Sequence, residues 1–154
     1  MVDMREVLKY SKQLRLLYVE DNKDARDMTG MILEDFFDSI IFGVDGKDGY
    51  EKFLENKIDF VITDINMPKM NGLDMCKNIQ KLDKNIPIIV LSAHNEENFL
   101  SQSIDIGVSA YLLKPLDMEL LAKYILAVLQ KEQLNTEVDL TLFQPITGVG
   151  DLKR

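Results

Sequence analysis

With 154 residues, 46% of them hydrophobic and 29% charged, the chain has the composition of one compact soluble domain with short extensions, not of a disordered or multidomain protein. A formal net charge of -8 repels nucleic-acid phosphates and anionic lipid, which excludes direct nucleic-acid or membrane binding by this chain and suits a protein that gathers a divalent cation. The lone Cys76 excludes an intramolecular disulfide or a cysteine-cluster metal site, and Met1 to Tyr10 hold neither a signal-peptide core nor a membrane-spanning run, so a reducing cytoplasm is the expected location.

Residues 1–13 place Met4, Val7, Leu8 and Ser11 at helical spacing and are expected to form an N-terminal extension with a short helix. From Leu14 onward, short apolar runs alternate with longer segments of helical period, the pattern of βα units around a parallel sheet. The expected strands are Leu14 to Val19, Ser39 to Val44, Asp59 to Thr63, Pro87 to Leu91 and Ala110 to Leu113, each short and apolar enough to be buried on both faces. Between them Ala25, Met28, Ile32 and Phe36 fall on one helical stripe, and Leu73, Cys76 and Ile79 on another; both stripes are expected to face the core. A final helix from about Asp117 to Gln133 carries a wide apolar face behind an aspartate suited to the N-cap. Residues 134–154 alternate Val138, Leu140 and Leu142 before Pro145 and several glycines, too little for an output domain, and read as a tail or linker stub. The expected domain is therefore 14–133, with five strands and five helices in an α/β, flavodoxin-like, doubly wound parallel sheet of order 2-1-3-4-5.

In such a sheet the chemistry sits at the carboxyl ends of the strands. There the chain places Glu20 and Asp21 after strand one, Asp64 after strand three, Ser92 after strand four and Lys114-Pro115 after strand five. Singly each has a plain structural reading: helix-capping acids, a strand-end hydroxyl, a solvated lysine. Together they bring three carboxylates to one rim, where mutual repulsion calls for a cation. Hard oxygen ligands point to Mg²⁺, which takes one or two carboxylates and leaves positions for water and phosphate oxygens. With that charge and the Lys114 ammonium in place, the Asp64 carboxylate can attack phosphorus, and the small Ala93 beside Ser92 leaves room for the incoming group.

The runs Val19-Glu20-Asp21-Asn22, Asp64-Ile65-Asn66-Met67-Pro68-Lys69-Met70-Asn71-Gly72, Leu91-Ser92-Ala93 and Tyr111-Leu112-Leu113-Lys114-Pro115 resemble those of response-regulator receiver domains of two-component systems, over about Leu14 to Gln133. The resemblance implies that Asp64 is the phosphoacceptor, that Asp21, Asp64 and the Asn66 backbone carbonyl ligate Mg²⁺ with Glu20 assisting through water, and that Lys114 holds the phosphoryl group. It also implies a switch in which Ser92 moves toward that group and Tyr111 turns inward, reshaping the face made by the fourth and fifth of the five helices and the fifth strand. By the same analogy the partner is a sensor histidine kinase or phosphotransfer protein, and a homodimer forms through that face. Tyr111 also has a plain reading as a half-buried packing aromatic. Asn66 and His94 flank the acceptor and are candidates for tuning the phosphorylation lifetime, His94 reading otherwise as a solvent-facing loop histidine.

Three rivals use the same materials. An aspartate-based phosphohydrolase resembles Asp-x-Asp, its second Asp moving the proton, whereas Asp64-Ile65-Asn66 offers an amide that cannot. A nucleotide or flavin module wants a Gly-rich first turn where Glu20-Asp21 stands. A phosphorylation-independent docking module is disfavoured by the presence of the acceptor, acidic pair, hydroxyl and lysine together.

Overall fold

A computed structural model describes residues 2–93, 97–134 and 139–144. Five strands, β1 (Arg15–Val19), β2 (Ser39–Gly43), β3 (Phe60–Asp64), β4 (Ile88–Ser92) and β5 (Ala110–Leu113), form one sheet in the order β2-β1-β3-β4-β5. Every pairing is parallel. The expected topology is thus the observed one, although β3 and β4 each run one residue further, taking Asp64 and Ser92 into the strands themselves. Six helices accompany the sheet: α1 (Met4–Ser11), α2 (Lys23–Leu33), α3 (Gly46–Glu55), α4 (Gly72–Leu82), α5 (Glu97–Ile106) and α6 (Met118–Leu134). The sixth, α1, is the short helix expected in the N-terminal extension, and the other five are those expected of the domain.

Alternation along the strands divides the core in two. Leu16, Tyr18, Phe60 and Ile62 face α2 and α6, packing with Leu33, Phe36 and Ile125. Leu17, Val19, Val61 and Val90 face the other way, onto Leu73, Cys76 and Ile79 of α4. Strands buried on both faces explain the unbroken apolar runs. The α4 stripe is as expected, but the α2 stripe is so only in part: Met28 is 68% exposed, and Thr29, Gly30 and Leu33 are the buried residues. Of the expected stripe, Phe36 is fully buried and Ile32 packs against the same core, while at Gly30 a Cβ would lie 3.1 Å from the Phe42 ring, so the helix approaches β2 closely there.

Side-chain caps define the helix starts. Asn22, Asp45 and Asn71 accept from the backbone N–H groups of Ala25, Asp48 and Asp74. Asp117 accepts from Glu119 N at 2.9 Å, the cap expected for the last helix. Helix α1 lies along α6, with Val7 wholly buried and the Ser11 hydroxyl donating to the Phe36 carbonyl at 2.7 Å. Among the described residues no helix is long and apolar enough to cross a membrane.

After α6 the chain returns to the sheet. A 3-10 turn at Leu140–Leu142 leads to a parallel bridge between Phe143 and Tyr111, on the outer side of β5. A linker stub was the expectation for this stretch; instead Leu142 and Phe143 are buried, while Leu140 is exposed. Burial of two such side chains contributes about 3–5 kcal/mol toward seating the segment.

Candidate functional site

The strand ends converge as the topology requires. Carboxylate oxygens of Glu20, Asp21 and Asp64 lie within 4.8 Å of one another. Glu20 is only 2% exposed, and its two oxygens are occupied: one accepts from Lys114 Nζ at 2.6 Å, the other from Asn22 N at 3.1 Å. Asp64 accepts from Ile65 N at 2.8 Å and stands 3.6 Å from Lys114 Nζ, while Asp21 is exposed. One lysine therefore bridges two carboxylates. The peptide that follows it, Lys114–Pro115, is cis.

Asp64 feels the cost of this crowding. Burial pushes its carboxyl up to about 6 from an ordinary 3.8; Lys114 pulls it down, and Glu20 and Asp21 push it further up. A site that raises an acid in this way gains from a bound cation, and three hard oxygen donors fit Mg²⁺ in kind. The donor set thus agrees with the metal expected from the sequence.

The loop after Asp64 is fixed by contact with the acceptor. Gly72 N donates to Ile65 O at 2.8 Å, and a Cβ on Gly72 would sit 1.8 Å from the Asp64 carbonyl oxygen. Glycine is needed here for close approach and not for a left-handed backbone, since Gly72 is not among the positive-φ glycines. Gly72→Ala is expected to destabilise the protein by about 2–4 kcal/mol, read as a lower midpoint in urea denaturation without metal. An unchanged midpoint would mean that the loop lifts off Asp64 freely. Midway along the loop Lys69 takes φ 70, and its ammonium lies 3.8 Å from the buried Asp45 at the head of α3. Asn66 is exposed at the start of this loop.

Ser92 closes β4, fully buried, one residue beyond the Leu91 that pairs with Asp64. Tyr111 lies earlier in β5, wholly buried in the layer of α4 and not half-buried. The structure thus assembles Glu20, Asp21, Asp64 and Lys114, sets Ser92 beside them, and places Tyr111 three residues before Lys114 on β5. His94 lies outside the described residues. One contributor had no motif to reveal it: Arg26 of α2 donates to the Glu20 carbonyl at 2.8 Å, placing a guanidinium behind the acidic pair. Its only sequence signal is its position one helical turn past the N-cap.

Fold and rim together are those of a small α/β domain that concentrates charge at the ends of its parallel strands. The chain belongs to the response regulator receiver domain family, whose model matches residues 16–126. It is 33% identical over 119 residues to the chemotaxis protein CheY of Treponema pallidum, covering 75% of this chain and 83% of that one. It is 30% identical over 126 residues to the response regulator ArlR of Staphylococcus saprophyticus, covering 82% of this chain and 57% of that protein. Among solved structures it superposes on the CheX-CheY-BeF3-Mg²⁺ complex of Borrelia burgdorferi with a TM-score of 0.70 and 28% identity, over 76% of this chain and 90% of that one. The chain spans about half the length of several curated relatives it matches, 57% and 52% in two cases. Members of this family are signalling switches, not classical enzymes.

Proposed function

We propose that the chain is the phosphorylation-activated switch of a two-component system, taking a phosphoryl group onto Asp64 from a sensor histidine kinase, a phosphotransfer protein or a small phosphodonor. The observation that carries this reading is the Asp64 carboxylate at a strand end, 3.6 Å from Lys114 Nζ and grouped with the carboxylates of Glu20 and Asp21. Residues 14–133 form the switching domain. Asp21, Asp64 and the Asn66 carbonyl would hold Mg²⁺, with Glu20 assisting. Mg²⁺ when bound offsets the negative charge of the carboxylates and of the transferring phosphoryl oxygens.

The transfer itself belongs to the side chains. An Asp64 carboxylate oxygen attacks phosphorus as the bond from phosphorus to the donor breaks, and the donor leaves with that electron pair. Lys114 shifts its ammonium from Glu20 toward the new phosphoryl oxygens, and the Ser92 hydroxyl donates to another of them. Attachment adds almost two negative charges, and these bias the domain only by favouring one arrangement over another. Ser92 and Tyr111 carry that difference to the β5 face, while Asn66 and His94 set how readily water removes the group. That the Borrelia complex contains BeF3 and Mg²⁺ supports the choice of Mg²⁺ as the metal.

Intact-mass spectrometry after incubation with acetyl phosphate tests the proposal. One phosphoryl adduct is expected with Mg²⁺, and none when EDTA removes the metal. Continuous phosphate release from unrelated esters would instead favour a hydrolase, and an unmodified chain a docking module.

A further inference from the structure

The outer edge of a sheet is a row of backbone donors and acceptors open to another strand. On β5 this row is engaged by the chain's own residues 139–144. Gln144 N donates to Tyr111 O at 2.9 Å, and the Gln144 side chain accepts from Leu113 N at 2.7 Å, so a main-chain and a side-chain group together stand in for a sixth strand. Adjacent side chains straddle the edge: Phe143 joins the core on the α4 side, and Leu142 the core on the α6 side. Asp139 gives the segment its own start, its carboxylate accepting from Thr141 N at 3.0 Å and from the Thr141 hydroxyl at 2.6 Å. The Tyr124 hydroxyl of α6 donates to Thr141 O at 3.5 Å. This is a built seat for an extended segment with two neighbouring apolar residues followed by a carboxamide.

The grip falls next to the functional rim. Leu113, held by Gln144, directly precedes Lys114, whose N–H donates to Ser92 O at 2.8 Å and whose ammonium rests on Glu20 at 2.6 Å. We propose that the β5 edge is a strand-docking surface filled in cis by residues 139–144, and that filling it opposes phosphoryl transfer to Asp64. The inference rests on the aspartyl-phosphate reading above. Transfer requires Lys114 to leave Glu20 for the phosphoryl oxygens. A β5 strand whose Leu113 and Lys114 N–H groups are held by Gln144 on one side and Ser92 on the other resists any shift of the Lys114 backbone that accompanies that reach. Docking therefore stabilises the unmodified arrangement, and by linkage the phosphoryl group weakens docking by the same factor. Released, the edge accepts an extended segment of the same chemistry from a partner.

The test uses the full chain and follows phosphorylation by intact mass and the edge by hydrogen exchange. In wild type with acetyl phosphate and Mg²⁺, amide exchange across residues 139–144 is expected to rise about fivefold or more once the phosphoryl adduct is present. Gln144→Ala, which keeps the backbone bond to Tyr111 but loses the acceptor for Leu113, is expected to stand at about a fivefold higher ratio of phosphorylated to unmodified chain at equal acetyl phosphate, with exchange in β1 and β3 unchanged. Phosphorylation that leaves exchange at 139–144 unaltered, or a Gln144→Ala chain with no higher phosphorylated ratio than wild type, overturns the inference. A wild-type chain that gains no phosphoryl mass overturns the aspartyl-phosphate reading itself, and this one with it.

Discussion

Asp64→Asn is expected to abolish phosphoryl uptake and, in the same molecule, to make the metal-free protein more stable near neutral pH. The loss follows because an amide cannot form the acyl phosphate. The gain follows from the raised pKa of Asp64, about 6 in the fold against 3.8 for the free side chain, caused first by burial. The native state holds this proton more tightly than the unfolded chain does, so native stability declines as pH rises from about 4 toward 6, and the deficit is complete above that range. Asparagine never ionises and escapes it. Urea midpoints without Mg²⁺ should favour Asp64→Asn by on the order of 2–3 kcal/mol near pH 7, and the difference should shrink toward pH 4. A variant less stable than wild type at pH 7 would mean that the Lys114 attraction outweighs burial at this position.

Lys114→Ala is expected to have the opposite effect on stability. Its ammonium lies 2.6 Å from a Glu20 that is 2% exposed and 3.6 Å from an Asp64 whose side chain is 13% exposed, and alanine leaves those two carboxylates facing each other. Removing one partner from a buried ionic group costs about 3–5 kcal/mol, because the remaining charge keeps its desolvation penalty. Saturating Mg²⁺ should recover much of that loss by supplying positive charge at the same rim. Equal destabilisation with Mg²⁺ and with EDTA would assign the effect to lost packing of the lysine stem instead. Phosphoryl uptake by this variant should slow by about a hundredfold or more, since a donor aimed at the transferring oxygens is gone.

The sheet and its acidic rim were legible in the sequence because both depend on local order. Buried parallel strands leave apolar runs such as Ile88 to Leu91, and each βα joint places the next residue at one rim. Helix α2 was legible only as a helix. Its stripe of Ala25, Met28, Ile32 and Phe36 has the right period and brings Phe36 and Ile32 to the core, but Met28 points outward and Gly30 meets Phe42 instead, a close approach set by the neighbouring strand and invisible to periodicity. The role of Gly72 was equally hidden, since the close approach of Asp64 O is a three-dimensional fact. Residues 139–144 escaped for a related reason: Leu142 and Phe143 are neighbours buried on opposite sides of a sheet edge, which breaks the alternation sought in a strand. Arg26 binds a carbonyl, a partner that every residue possesses and no motif records.

Cys76 lies on the inner face of α4, fully buried, where burial pushes its thiol up to about 12. Such a sulfur is almost entirely protonated near neutrality and shielded from alkylating reagents. Reaction therefore waits until α4 parts from the sheet. Because no other thiol competes, a timed pulse of iodoacetamide on the unaltered chain counts openings of this helix, with or without metal and phosphodonor, and needs no attached label.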